Sequence, residues 1–314
     1  MSTILVTTDY SHPGDEAAAI LTAAGHEVRY RTGARGDELA AALGDATGAI
    51  VAHDPLTADV LGRAPLLRVI VRSGVGYDSV DLDAAGRLGI RVSNLPGVNS
   101  NAVAEYTMGL LLAAARGLAE SAGGVRAGSW PRQGGRELRG ATLGLVGHGP
   151  AARAVVPLAR AFGMRILCAT GHPDGGAPDV EFVELPKLLR EADFVSLHTA
   201  LTPRTRHLVD AAALALLKPT AILVNTARGA LVDEKALAEA VTAAKLAGAA
   251  LDVTEAEPLP PDSPLRGVRG ITVYSHLAGQ TAEARRATAV AAAHELLASL
   301  RGEPRTPVAP RRDQ

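Results

Sequence analysis

Two doubly wound parallel α/β domains are predicted by three observations on this chain. Short β-rich runs alternate with alanine-rich helical segments, and that repeat stops near residue 100 and restarts near residue 142. The restart opens with a strand, a glycine loop and an apolar helix. An arginine, a glutamate and a histidine then follow in order along the last third of the chain, at intervals that fit successive strand ends of one sheet.

In the first half the β-rich runs are Thr3 to Thr7, Glu27 to Tyr30, Ala49 to Ala52, Leu67 to Arg72 and Ile90 to Ser93. Near-continuous apolar strands separated by helices imply a parallel sheet covered on both faces. One long helical stretch from about Asn101 to Ala127 follows, capped by Asn99-Ser100, and the first domain boundary is placed there. Strands resume at Thr142 to Val146, Arg165 to Ala169, Phe194 to His198, Ala221 to Asn225, Gly248 to Asp252 and Ile271 to Tyr274. A last helical run spans Ala282 to Leu300. The tail from Gly302 to Gln314 is rich in proline and charge, and a frayed strap with no regulatory domain after it is expected.

The composition narrows the function classes. A chain of 314 residues can bury a substantial core, and its net charge of −1 offers no basic field for nucleic acid or an anionic membrane. One cysteine, Cys168, excludes an internal disulfide and suits a reducing cytoplasm, and Met1 to Tyr10 lack the pattern of a signal peptide. No apolar run reaches the length of a membrane span. The expectation is a cytoplasmic protein with a small-molecule ligand and no nucleic-acid or membrane partner; no metal is expected.

Strand Leu143 to Val146, then Gly147-His148-Gly149-Pro150-Ala151-Ala152, supplies the setting that a dinucleotide fingerprint requires. Gly147 permits a tight turn, and Gly149 lets a pyrophosphate approach the backbone at the helix N-terminus, beside Pro150 and Ala151. Ala152 stands at the third glycine position. Pro150 deletes one N–H near the phosphate but suits the first helical position. Pro157, deeper in the same helix, predicts a kink. The next strand runs into Thr170-Gly171-His172 with no acid at its end, which removes the barrier that a carboxylate raises against the 2′-phosphate of NADP. NAD and NADP both stay open, with the balance tipped slightly to NADP, through Thr170 and His172.

Arg228 in Asn225-Thr226-Ala227-Arg228-Gly229, Glu257 before Pro258, and His276 in Ser275-His276-Leu277-Ala278-Gly279 form the acid/base candidate. A guanidinium fork matches a carboxylate, a histidine titrates near neutrality, and a neighbouring carboxylate orients a histidine and favours its charged form. Such a trio can bind a 2-oxo or 2-hydroxy acid and move its proton.

With Arg72-Ser73-Gly74-Val75-Gly76-Tyr77-Asp78, Trp130 before Glu137-Leu138, Thr142-Leu143-Gly144 and Leu201-Thr202-Pro203-Arg204-Thr205-Arg206-His207-Leu208 in the same order, the chain resembles the D-isomer-specific 2-hydroxyacid dehydrogenases. That group includes phosphoglycerate dehydrogenase and glyoxylate/hydroxypyruvate reductase. The resemblance implies a Rossmann cofactor domain over 100–281 and a discontinuous flavodoxin-like substrate domain over 1–99 plus 282–314, with a cleft between them. It implies hydride transfer between NAD(P)(H) and C2 of the acid, with Arg228, Glu257 and His276 catalytic. Thr226, Ala227, His198 and Asp252 join the cofactor side, Asp252 against the nicotinamide amide. Arg72, Ser73, Gly74, Val75, Gly76 and Asn99 fall on the substrate side, with Val75 and Gly76 as carboxylate donors. A homodimer through the cofactor domain is implied too. Two other readings of the same residues stay open: a dinucleotide-sensing, corepressor-like binding protein, and a dehydrogenase for a phosphate- or phosphonate-bearing acid reached by Arg72.

Overall fold

The structure, a computed structural model, describes residues 2–132, 134–171 and 178–308. The chain divides into two compact units, one formed by Met1–Asn99 with Ala282–Gln314 and the other by Ser100–Thr281.

The first unit holds strands β1 (Thr3–Val6), β2 (Glu27–Tyr30), β3 (Ala46–Val51), β4 (Val69–Arg72) and β5 (Arg91–Ser93) in one sheet of order β2-β1-β3-β4-β5. Every pairing is parallel, as βα connections require. Helices α1 (Glu16–Ala23), α2 (Gly36–Leu43), α3 (Ala58–Gly62) and α4 (Leu82–Arg87) connect the strands. On one face Leu39, Leu43, Val60, Leu61 and Ala84 pack on Leu5, Ala49 and Ile70. The other face takes Ile4, Val6, Ile50 and Val69 against Ala17 and Leu21, and against Ala289, Ala292, Ala293 and Leu296 from the chain's last helix (Ala282–Leu300).

The second unit begins with α5 (Ser100–Arg116) and α6 (Leu118–Arg126). The sequence pattern predicts one continuous helix over this stretch; Gly117 divides it by taking a left-handed backbone, φ 59°, that only glycine adopts without cost. Among the described residues, neither Asn99 nor Ser100 makes a capping hydrogen bond. The sheet contains β6 (Thr142–Val146), β7 (Arg165–Ala169), β8 (Glu181–Phe182), β9 (Phe194–Leu197), β10 (Ile222–Asn225), β11 (Gly248–Leu251) and β12 (Ile271–Val273) in the order β12-β11-β10-β9-β6-β7-β8, all parallel. Strand β8, two residues long, carries no periodicity that sequence reading can detect. Helix α7 (Pro150–Ala161), with α5, covers one face through Met108, Leu111, Val155 and Ala159; α8 (Leu185–Glu191), α9 (Ala211–Leu214) and α10 (Glu234–Thr242) cover the other through Leu188, Leu214, Leu237 and Val241. Helix α7 continues past Pro157, with its helical assignment running on to Ala161. Cys168 lies buried in β7, and burial pushes its thiol up to about 11. Among the described residues no helix is long and apolar enough to cross a membrane.

In this second sheet the strand order reverses between β6 and β9. Open α/β sheets bind ligands outside the carboxyl ends of the strands at such a switch point.

The last helix, α11 (Ala282–Leu300), closes the first unit, and the described residues after it, as far as Val308, are not frayed; residues 309–314 of the expected strap lie outside the described residues. Glu303 to Val308 lies along β5, with Pro307 bridged to Ser93 and the Val308 N–H donating to the Val92 carbonyl at 2.8 Å. A buried carboxylate, Glu295, explains why: it accepts backbone N–H bonds from Arg305 at 3.1 Å and Thr306 at 3.4 Å. Proline and charge content predict loose chain because this anchor sits on another element.

Candidate active site and cofactor loop

The glycine loop follows β6 directly. Gly147 has φ 101°, and a Cβ there would lie 2.6 Å from the His198 carbonyl oxygen, so the turn excludes any side chain. Gly149 is the N-cap of α7 with Pro150 at the first helical position. A Cβ on Gly149 would meet nothing within 4 Å, so the space before the helix N-terminus is open. Ala151 and Ala152 stand in the first helical turn, whose N–H groups have no intrahelical acceptor. Loss of the Pro150 N–H leaves these donors in place.

At the end of β7 stands Thr170, followed by Gly171 and no carboxylate; His172 lies outside the described residues. At the end of β9 the His198 N–H donates to the Val146 carbonyl at 2.8 Å, and its Nε2 bonds the Ser196 hydroxyl at 2.9 Å. Burial lowers the His198 pKa to about 4, which leaves the ring neutral near pH 7.

Arg228 is set by the end of β10. The buried Asn225 accepts the Ala227 N–H at 3.0 Å and donates to the Arg228 carbonyl at 2.8 Å, while Arg228 Nη1 donates to the Ala227 carbonyl at 2.8 Å. Thr226, also buried, pairs with Thr107 of α5 at 3.1 Å. Gly229 is demanded by packing: a Cβ would stand 1.9 Å from the carbonyl carbon of Thr254. The Arg228 turn therefore rests directly on the segment that carries Glu257.

Glu257 and His276 meet, with His276 Nδ1 2.8 Å from Glu257 Oε2. A carboxylate only accepts, so Nδ1 carries the proton of this hydrogen bond. The other Glu257 oxygen accepts the Thr254 N–H at 3.1 Å. Both side chains keep access to solvent, at 30% for the histidine and 40% for the glutamate. His276 sits at φ 59°, a left-handed conformation that costs a non-glycine residue about 1–3 kcal/mol.

Asp252 holds that strained turn. It is buried, and its carboxylate accepts the N–H groups of Leu277 at 2.8 Å and Ala278 at 2.9 Å, while its carbonyl accepts the His276 N–H at 2.8 Å. Tyr106 of α5 lies beside it: burial first, then the Asp252 charge, pushes the phenol up to about 12. Sequence reading puts Asp252 on the cofactor side and misses this anchoring, because the bonds run to backbone 25 and 26 residues away.

In the first unit, Arg72 is buried under the glycine turn and its Nη1 donates to the Ser73 carbonyl at 2.6 Å. The Ser73 N–H and hydroxyl both donate to the Val51 carbonyl, at 2.8 and 2.9 Å, and the Gly74 N–H donates to the Arg72 carbonyl at 2.8 Å. Of the predicted loop donors, Ser73 and Gly74 are thus committed inside the turn. The N–H groups of Val75 and Gly76 have no protein acceptor among the described residues, and Val75 is 42% exposed. Asn99 directly precedes α5.

Comparison with known proteins places these features in a shared frame. The family described as D-isomer specific 2-hydroxyacid dehydrogenase, NAD binding domain, matches residues 108–278. A D-3-phosphoglycerate dehydrogenase of Methanocaldococcus jannaschii is 41% identical over 95% of this chain, which spans 58% of that protein's length. A glyoxylate reductase of Aeropyrum pernix is 42% identical over 80% of the chain and 78% of its own length. A crystal structure of a Thermus thermophilus protein superimposes with a TM-score of 0.88 at 42% identity, covering 98% of this chain and all of the other.

Proposed function

The chain belongs to the D-isomer-specific 2-hydroxyacid dehydrogenase family, and from that premise we propose that it transfers a hydride between a nicotinamide cofactor and C2 of a small 2-oxo or 2-hydroxy acid. The observation that carries the reading is the 2.8 Å His276–Glu257 pair on the same unit as Arg228 and an open fingerprint loop. The loop fits a dinucleotide: Gly147 makes the turn, Gly149 leaves room, and the first-turn N–H groups of α7 suit a pyrophosphate. When bound, the nicotinamide ring supplies or takes the hydride. His276 Nε2 gives a proton to the substrate oxygen in reduction and removes it in oxidation, while Glu257 fixes the ring through Nδ1. Arg228 grips the carboxylate with its fork. Neutral His198 and the buried Asp252 and Thr226 complete the wall at the strand ends, and Val75 and Gly76 are assigned the substrate carboxylate.

The absence of a carboxylate at the end of β7, where Thr170 and Gly171 follow Ala169, supports acceptance of NADPH beside NADH; Asp174, five residues on and outside the described residues, is the carboxylate that could turn back to the ribose. Fluorescence titration with each nucleotide, followed by absorbance loss at the nicotinamide band with glyoxylate, hydroxypyruvate and phosphohydroxypyruvate, tests the reading. The expected result is oxidation of at least one nucleotide by one of the first two acids. Nucleotide binding with no oxidation by any acid would favour a sensor, and turnover of phosphohydroxypyruvate alone would favour the phosphate-bearing substrate.

We also assign a homodimer through the second unit. Helix α6 has no buried residue, and Leu118 and Val125 are 54% and 48% exposed. Light scattering behind size exclusion is expected to give twice the chain mass of 32.2 kDa, and Leu118→Glu with Val125→Glu to give the monomer.

A further inference from the structure

We propose that Asn94, clamped by Thr306 of the C-terminal segment, is the positioning residue that aims the Gly76 N–H at a substrate carboxylate, beside a Val75 N–H that the Leu95 backbone holds in place. The proposal rests on the reading of that loop as a carboxylate cradle, and it assigns the aim to residues far from the loop in sequence.

The geometry works through two peptide planes. In a trans peptide the carbonyl and the following N–H point in opposite directions, so holding one fixes the other. The Gly74 carbonyl accepts the Leu95 N–H at 2.9 Å, which fixes the N–H of Val75. The Val75 carbonyl accepts the Asn94 side-chain amide at 2.6 Å, which fixes the N–H of Gly76. Both carbonyls are thus held by adjacent residues, and each donor is turned away from the group that holds its peptide. A hydrogen bond at the carbonyl also polarises the peptide and strengthens its N–H as a donor.

Asn94 is held in turn. The Thr306 hydroxyl donates to its carbonyl at 2.6 Å, and its own N–H donates to the Thr306 carbonyl at 3.3 Å. Thr306 is tied to the buried Glu295 carboxylate through its N–H. That carboxylate also takes the Ser299 hydroxyl at 3.2 Å and the Arg305 N–H. A buried charge satisfied mainly by backbone N–H groups of one short segment gives that segment a single resting place. The chain of contacts therefore runs from α11 through the C-terminal segment to Asn94 and on to the loop, all within the first unit.

The test is steady-state kinetics with glyoxylate on the full chain. Asn94→Ala is expected to raise KM for glyoxylate about 3- to 10-fold, as loss of one aiming hydrogen bond implies. The kcat, the KM for the nucleotide and the melting temperature should stay close to wild type. Thr306→Val is expected to move KM in the same direction, and Thr306→Ser, which keeps the hydroxyl, to restore it. Val75→Pro, which deletes one donor outright, tests the cradle separately. If Val75→Pro raises KM while Asn94→Ala and Thr306→Val leave it unchanged, the positioning role is overturned and the cradle stands. If Val75→Pro leaves KM unchanged, the cradle itself fails. Should Asn94→Ala not fold, the Thr306→Val and Thr306→Ser pair decides the same question.

Discussion

His276→Ala is expected to lower kcat for glyoxylate reduction by about 100- to 10,000-fold, the range that a positioned general acid contributes. Nucleotide affinity should be unchanged. The ring follows β12 of the second sheet, and Glu257 at 2.8 Å fixes its Nδ1 side. Water can protonate the substrate oxygen in the variant, which sets the residual rate. The fold should survive, because the side chain is partly exposed and its turn is held by Asp252 through the backbone. Stopped-flow turnover with nucleotide fluorescence as a control measures both quantities. A kcat within about 3-fold of wild type would remove His276 from the proton transfer.

The second large effect concerns Arg228. Arg228→Ala should reduce kcat/KM by about 100- to 10,000-fold, since two charge-assisted hydrogen bonds to a carboxylate are worth about 3–6 kcal/mol together. Arg228→Lys should recover only part of this loss, because an ammonium supplies the charge without the fork. Asn225 holds the Arg228 carbonyl at 2.8 Å and Gly229 lies against Thr254, so the backbone that presents the guanidinium stays in place when the side chain is removed. A substrate analogue with an amide in place of the carboxylate should be turned over equally poorly by wild type and variant. Equal losses for acid and amide on mutation would mean that Arg228 acts on the carbonyl oxygen alone.

Much of this is legible in the chain because the informative residues are local. Gly147 and Pro150 report a turn and a helix start within four positions, and strand runs such as Arg165–Ala169 coincide with those observed. Arg228, Glu257 and His276 stand out as residue types at strand-end spacing, and the fold joins the last two in one hydrogen bond. What stays hidden are bonds whose partners are distant and whose acceptors or donors are backbone atoms. Asp252 reads only as a cofactor-side residue until the N–H groups of Leu277 and Ala278 are seen on it. Gly229 stands in the Arg228 motif with no reason that the sequence shows, because its reason is the nearby Thr254 carbonyl carbon. Thr306 lies in a stretch whose composition suggests loose chain, and only the buried Glu295 explains its order. Gly117 is the one local signal that the helical pattern masks, a single glycine inside an otherwise unbroken run.

The chain contains a single cysteine, and that thiol is buried in β7 with its ionisation pushed up to about 11. Maleimides and related probes react with thiolates that they can reach, and this one is neither ionised near neutral pH nor accessible. A cysteine introduced at an exposed position, such as Leu277 beside His276 at 45% exposure, would therefore take a fluorophore or spin label alone, in the wild-type background. The chain is ready for site-specific spectroscopy without first removing a native thiol.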